Sequence, residues 1–113
     1  MKICIDLDGT ICYTRQEGEH YADVKPTPNA VEAIQKLKSG GHYIIINTSR
    51  HMKTANNNLG LIIAKQGKTL IHWLEEHHIP YDELWFGKPL ADLYIDDKAL
   101  HFTDWEKTLT EIL

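Results

Sequence analysis

Four stretches of this chain join a short apolar run to groups that can do chemistry. Asp6-Leu7-Asp8-Gly9-Thr10 follows Lys2 to Ile5, and Asn47-Thr48-Ser49-Arg50 follows Tyr43 to Ile46. Gly87-Lys88-Pro89 follows Leu84 to Phe86, and Asp96-Asp97-Lys98 follows Leu93 to Ile95. Three or more carboxylates gathered at one rim repel one another and call for a cation. A hard divalent ion held by a few oxygen ligands, with positions left open, points to Mg²⁺ rather than to a closed Ca²⁺ cage. Lys88 and the Thr48 hydroxyl beside such an ion suit a phosphoryl group, one by charge and one by hydrogen bond. The turn at Gly9 can offer backbone N–H groups to the same anion. Asp6 and Asp8, two apart in strand register, project from one side of the strand end. One can attack phosphorus as a carboxylate nucleophile. The other can protonate the leaving oxygen and then activate water.

The elements that would position these groups follow from the pattern of apolar residues. Lys2 to Leu7 is β-rich and ends at a turn signal, so a buried strand is expected, with Cys4 inside it. Gly9 to Pro26 is polar and aperiodic and reads as a long loop or flap. Thr27-Pro28 has the form of a helix start, and Ala30, Val31, Ala33, Ile34 and Leu37 continue at helical spacing until Gly40-Gly41. Tyr43 to Ile46 is a second strand. Thr48 to Lys65 is polar around a Leu-Gly-Leu-Ile-Ile patch and gives no firm assignment. Thr69 to His78 is an amphipathic helix, with Leu70, Ile71, Trp73 and Leu74 inward and Pro80 beyond its end. Leu84 to Phe86 and Leu93 to Ile95 are short strands. Thr103 then caps a final helix to Leu113, with Asp104 in its first turn. This order specifies an α/β domain with a mainly parallel sheet and right-handed crossovers. Ligands in such sheets lie at the carboxyl ends of the strands, where the polar groups fall.

The chain has 113 residues, is 42% apolar and carries a formal charge of −4. That is enough for one core, so residues 1–113 are read as a single domain. The acidic balance argues against nucleic acid or an anionic membrane as partner. No apolar run is long enough to span a bilayer, and the N-terminal run is too short and acidic for a secretory signal, so a cytoplasmic site is expected. Cys4 and Cys12 fit neither a disulfide framework nor a metal-ligand spacing.

Taken together, Asp6-x-Asp8-Gly9-Thr10, Thr48, Lys88 and the Asp96-Asp97 pair resemble the four motifs of the haloacid dehalogenase-like superfamily. The resemblance spans residues 2 to 98. The presence of Asp8 resembles the phosphatase and phosphotransferase branches rather than the dehalogenases. Val24-Lys25-Pro26, Thr48-Ser49-Arg50, Asn58-Leu59-Gly60, Pro80 to Glu83, Gly87-Lys88-Pro89 and Tyr94 to Lys98 look like small capsule-biosynthesis phosphatases. The resemblance implies a three-layer Rossmann-like fold without a separate cap domain. It implies a Mg²⁺-dependent phosphatase acting through an aspartyl-phosphate on a sugar or polyol phosphate, in capsule or surface-polysaccharide synthesis. In it Asp6 is nucleophile and metal ligand, and Asp8 is acid and base with its backbone carbonyl on the metal. Thr48 and Lys88 hold phosphate, with Ser49 able to exchange roles with Thr48. Asp96 is a metal ligand, and Asp97 orders a metal-bound water or Lys88. The strand before Asp96 would lie beside the first strand, opposite the second, bringing Asp96 next to Asp6.

Simpler readings stand beside these. Asp8-Gly9 alone is a turn signal; the other carboxylates carry the functional reading. His77 and His78 suit the end of a helix at the surface. Trp73, Trp85 and Trp105 are packing residues. His20 in the flap and His51, Arg50 and Asn58 in the second loop are candidates to contact substrate, Arg50 by gripping a second anionic or hydroxylated group. The expected partner is a small phosphorylated metabolite. A nucleotidase, with Tyr13 or Tyr21 stacking a base, and a phosphate-binding subunit of a biosynthetic complex are the competing functions. Oligomerisation that completes the pocket is left open by the sequence.

Overall fold

A computed structural model describes residues 1–113. Three strands, β1 (Lys2–Asp6), β2 (Tyr43–Thr48) and β3 (Glu83–Phe86), form one sheet in the order β1-β2-β3. Both pairings are parallel, with Asp6 level with Asn47 and Thr48 level with Phe86. The carboxyl ends of all three strands therefore lie at one edge of the sheet. Period-two alternation decides which face is covered. Ile5 on β1 and Ile44, Ile46 and Thr48 on β2 are buried, with Ile3, Leu84 and Phe86 packed against the same core. On the other face Cys4, Tyr43 and Trp85 are exposed.

Helix α1 (Ala30–Ser39) lays Ala30, Ala33, Ile34 and Leu37 into this core. It starts two residues after Pro28. The Thr27 hydroxyl is spent on the Thr10 carbonyl at 2.7 Å, and Asn29 before the first turn is left-handed, with φ of 65°. The undecided region after β2 contains a short helix α2 (Leu59–Ile62), capped by the Asn58 side chain, which accepts from the Leu61 N–H. A π-helical turn over Ile63–Gly67 leads into α3 (Lys68–Glu76), which buries Leu70, Trp73 and Leu74. Ile71, expected inward, is exposed. The last helix is α4 (Trp105–Ile112). Its cap is Asp104, accepting from the Lys107 N–H, rather than Thr103. No helix is long and apolar enough to cross a membrane.

Two tryptophans tie the Gly9–Pro26 loop down. Trp73 donates to the Val24 carbonyl at 2.8 Å, and Trp105 donates to the Thr10 carbonyl at 3.0 Å. Both N–H groups lie in buried or partly buried surroundings, where an unpaired donor costs free energy, so each indole also fixes a backbone segment. The 3₁₀ turn Tyr21–Asp23 sits within this loop.

The strand expected over Leu93–Ile95 is absent, and the segment from Gly87 to Thr103 has no regular structure. Its polar groups find local partners. Tyr94 donates to the Pro89 carbonyl and accepts from the Ala91 N–H, and the Asp96 carboxylate accepts from the Lys98 N–H at 2.8 Å. Local bonds of this kind compete with a strand ladder, and a three-residue run has few ladder bonds to offer in return. β1 is thus an edge strand; Cys4, expected to be buried, and Trp85, expected to pack, lie exposed on the uncovered face of the sheet.

Candidate active site at the strand ends

Asp6 ends β1, and the chain turns immediately after it. The N–H groups of Thr10, Ile11 and Cys12 all reach the Leu7 carbonyl, and the Gly9 N–H donates to the Cys12 carbonyl at 2.8 Å. Gly9 has φ of +85°, a conformation that favours glycine. Its role in this structure is to shape that turn. Its N–H donates within the turn. The turn buries Leu7 and places Asp8 beside Arg50.

Each of the two acids faces a cation. Lys88 Nζ lies 3.4 Å from Asp6 Oδ1 and 4.3 Å from the centroid of the Tyr94 ring. Arg50 donates to both Asp8 oxygens, from Nη2 to Oδ1 at 2.8 Å and from Nε to Oδ2 at 3.0 Å. Burial raises the Asp6 pKa above its ordinary value; Lys88 pulls it down, and the Asp8 charge pushes it up. The fork of Arg50 matches the carboxylate plane, the strong form of this interaction. Cys12 completes the cluster, its Sγ 3.4 Å from Asp8 Oδ1 and 3.6 Å from Arg50 Nη2. Burial, then the Asp8 charge, pushes the Cys12 thiol up to about 12, so it stays protonated and can donate to Asp8.

β2 supplies the residues opposite. Thr48 is buried, and its hydroxyl oxygen accepts from the Arg50 N–H at 3.0 Å, leaving its own proton to donate. The Thr48 carbonyl accepts from the N–H groups of Gly87 and Lys88, both at 3.1 Å. That pair of bonds carries Lys88 from the end of β3 to Asp6. Ser49 is half-buried at the same strand end.

Arg50 is placed differently from expectation. Its side chain is 4% exposed, with the guanidinium fork on Asp8 and its face 4.1 Å from the Tyr21 ring centroid. A buried cation must be paired, and Asp8 is the partner, so the group is unavailable to grip a second group on a substrate. His51 is half-buried and packs edge-on to Tyr21 at 5.0 Å, and its Nε2 is buried without a hydrogen-bond partner. Burial and the Arg50 charge lower the His51 pKa. Tyr21 is the residue whose place in the site the sequence did not disclose, because an aromatic in a polar loop carries no periodic signal. His20 is exposed in the same loop, and Asn58 serves as the α2 cap.

Asp96 and Asp97 stay exposed on the Gly87–Thr103 segment, and no group of three or more His, Cys, Asp or Glu side chains is arranged to hold a metal ion. The expected convergence of three carboxylates is therefore not formed. Asp6 and Asp8 come together without Asp96, because the strand that would carry it to the β1 edge does not form. The Asp6 carboxylate, with the Asp8 backbone carbonyl, remains a fitting donor set for Mg²⁺, which commonly takes one or two carboxylates and completes its shell with water and phosphate oxygens.

Known proteins resemble this chain in sequence and in fold. A family profile described as haloacid dehalogenase-like hydrolase matches residues 3–84. The crystal structure of a target protein from Vibrio cholerae is similar, with 32% identity and a TM-score of 0.81, covering 99% of this chain and 98% of that one. No curated protein matches the sequence. With a profile match over most of its length and parallel strands that end in Asp6, Thr48 and Phe86, this chain belongs to the haloacid dehalogenase-like hydrolases.

Proposed function

We propose that this hydrolase is a Mg²⁺-dependent phosphatase of small phosphomonoesters, a sugar or polyol phosphate serving surface-polysaccharide synthesis. The observation that carries the reading is the pair Asp6 and Asp8 at the end of β1, each facing a fixed cation. Asp6 Oδ attacks phosphorus, and the bond from phosphorus to the leaving oxygen breaks as Asp8 delivers a proton to that oxygen. Asp8, now ionised, takes a proton from water. The water oxygen attacks phosphorus, the bond to Asp6 breaks, and inorganic phosphate and Asp6 carboxylate are restored. Lys88 neutralises phosphoryl oxygens as the Asp6 carboxylate is consumed, and the free Thr48 hydroxyl proton, with Ser49 beside it, is a donor to the same oxygens. The Asp6 carboxylate and the Asp8 backbone carbonyl would hold Mg²⁺, with Asp96 as a third ligand and Asp97 supporting it. The ion would supply charge neutralisation on the phosphate.

The competing nucleotidase reading loses a stacking residue, because the Tyr21 ring is occupied by Arg50 and His51. Phosphate release from sugar, polyol and nucleotide phosphates, with Mg²⁺ and with chelator, tests the proposal alongside Asp6→Asn. Metal-dependent release that Asp6→Asn abolishes is the expected result. Release that survives Asp6→Asn overturns the aspartyl-phosphate route.

A further inference from the structure

The Arg50 side chain is almost wholly buried, with 4% of it exposed. Its fork is filled by Asp8 and its face by the Tyr21 ring, and Nη2 also touches Cys12 Sγ. Tyr21 in turn meets three groups: Arg50 at 4.1 Å, His51 at 5.0 Å and the Arg15 guanidinium at 5.2 Å. The turn that carries Tyr21 is anchored one residue past its end, where Val24 accepts from the buried Trp73 N–H. A continuous set of contacts thus runs from the α3 core through the loop and Arg50 to the Asp8 carboxylate.

We infer that Arg50 and Tyr21 are positioning residues, which fix the plane of the Asp8 carboxylate so that the remaining lone pair on Oδ2 faces the leaving oxygen. The inference rests on the reading of Asp8 as acid and base. Each carboxylate oxygen has two lone pairs; Arg50 takes one on each and the Cys12 thiol takes the second on Oδ1, which leaves one on Oδ2. The proton to be transferred is carried on what remains. A carboxylate held only by its own two torsions would sample orientations in which proton transfer fails, and small misplacements cost large factors in rate. Only the face of Tyr21 is used, since its hydroxyl makes no hydrogen bond, so phenylalanine preserves the function.

The test compares wild type, Arg50→Ala, Arg50→Lys, Tyr21→Ala and Tyr21→Phe on two substrates, p-nitrophenyl phosphate and an alkyl sugar phosphate. The alkyl leaving group needs the Asp8 proton, whereas p-nitrophenolate leaves without it. Arg50→Ala is expected to lower kcat on the sugar phosphate by roughly 100-fold, and by clearly less on p-nitrophenyl phosphate, with KM changed by less than about threefold. Arg50→Lys keeps the charge without the fork and recovers only part of the loss. Tyr21→Ala lowers kcat by roughly tenfold, and Tyr21→Phe restores most of it. A rise in KM with kcat retained would instead make Arg50 a substrate contact. Equal losses on both substrates would reduce its role to structure; either result overturns the inference. A readout independent of turnover is the Arg50 Nε–H resonance, which should move in Asp8→Asn and in Tyr21→Ala. No movement in Asp8→Asn overturns the inference whatever the enzyme hydrolyses. Movement of the resonance without phosphate release from wild type overturns the phosphatase reading and leaves the Arg50–Asp8 coupling in place.

Discussion

Ile46 and Ile95 are the same residue type in two apolar runs that each lead into polar, chemically capable groups, and they meet opposite fates. Ile46 is 0% exposed in β2, whereas Ile95 is 91% exposed in the irregular segment after β3. The run around Ile46 is flanked by a strand on each side, and its residues pair with both β1 and β3. The run around Ile95 has three apolar residues between Asp92 and Asp96, and Tyr94 within it is bonded back to Pro89. A β-prone sequence is an offer of pairing, and whether it becomes a strand depends on what competes for its hydrogen bonds. The acids at the end of β1 and after the Leu93–Ile95 run differ in the same way. Asp6 and Asp8 each stand against a cation supplied by the chain, while Asp96 and Asp97 lie in solvent. A gathering of carboxylates that would require a metal from the start is replaced by two internally compensated ion pairs.

The sharpest way to break this contrast is at the chemistry. Asp8→Asn keeps an acceptor for Arg50 but carries no transferable proton. Phosphate release from an alkyl phosphate is expected to fall by roughly 10²- to 10⁴-fold. A loss under about tenfold, in steady-state assays of the holoenzyme, would move proton transfer away from the ordered region and dissolve its distinction. Next in size is the paired truncation of the two isoleucines. Ile46→Ala opens a cavity in the packed core and should cost about 2–5 kcal/mol in denaturant unfolding. Ile95→Ala should stay within about 0.5 kcal/mol. If Ile95→Ala costs as much as Ile46→Ala, the exposed segment is packed in solution and the comparison fails.

A smaller effect concerns the metal. Asp96→Asn is expected to raise the Mg²⁺ concentration for half-maximal phosphate release by roughly tenfold, because it removes a proposed ligand. A Mg²⁺ titration that superimposes on wild type would leave Asp6 and Asp8 as the whole protein contribution. The residual ligands would then be water and phosphate, as a site with a single carboxylate allows.

What could be read in the sequence divides along the same line. The strands ending at Asp6, Thr48 and Phe86 were legible because alternation and turn residues agree there, and their parallel pairing follows from the helices between them. Thr48 and Lys88 fell into place because the residue after a buried strand has little freedom. Arg50 was marked as functional, but its direction was not readable: a charge in a loop gives no sign of whether it points to solvent or is folded back on Asp8. The packing of Tyr21 and Cys12 on Arg50 is hidden for the same reason, since those contacts bridge 29 and 38 positions along the chain. The Leu93–Ile95 strand was misjudged because apolar type records propensity and is silent about Tyr94 bonding to Pro89. Asn58 showed that a polar residue before an apolar patch can be spent as a helix cap.

The smallest effect has a sign that tests how the ordered region is balanced. The folded-state pKa of Asp6 lies above its ordinary value, with burial the largest cause and Lys88 opposing it. A raised folded-state pKa means that the protonated form is favoured by folding. That contribution is fully present below the unfolded value of about 3.9 and is lost as pH rises through the folded-state value. At neutral pH the ionised Asp6 is therefore a net cost to stability, even with Lys88 beside it. Asp6→Asn removes that charge, so in chelator-treated protein it should raise the melting temperature at pH 7. The gain should be worth less than about 1 kcal/mol, because the side chain is 34% exposed and water screens the interaction. It should shrink toward zero as pH falls below about 4. A destabilised Asp6→Asn at pH 7 would mean that the Lys88 pair outweighs burial, and the nucleophile would then be a stabilising element of the fold. A stabilised variant that no longer releases phosphate would place Asp6 among the groups whose charge is kept for reactivity at the expense of stability.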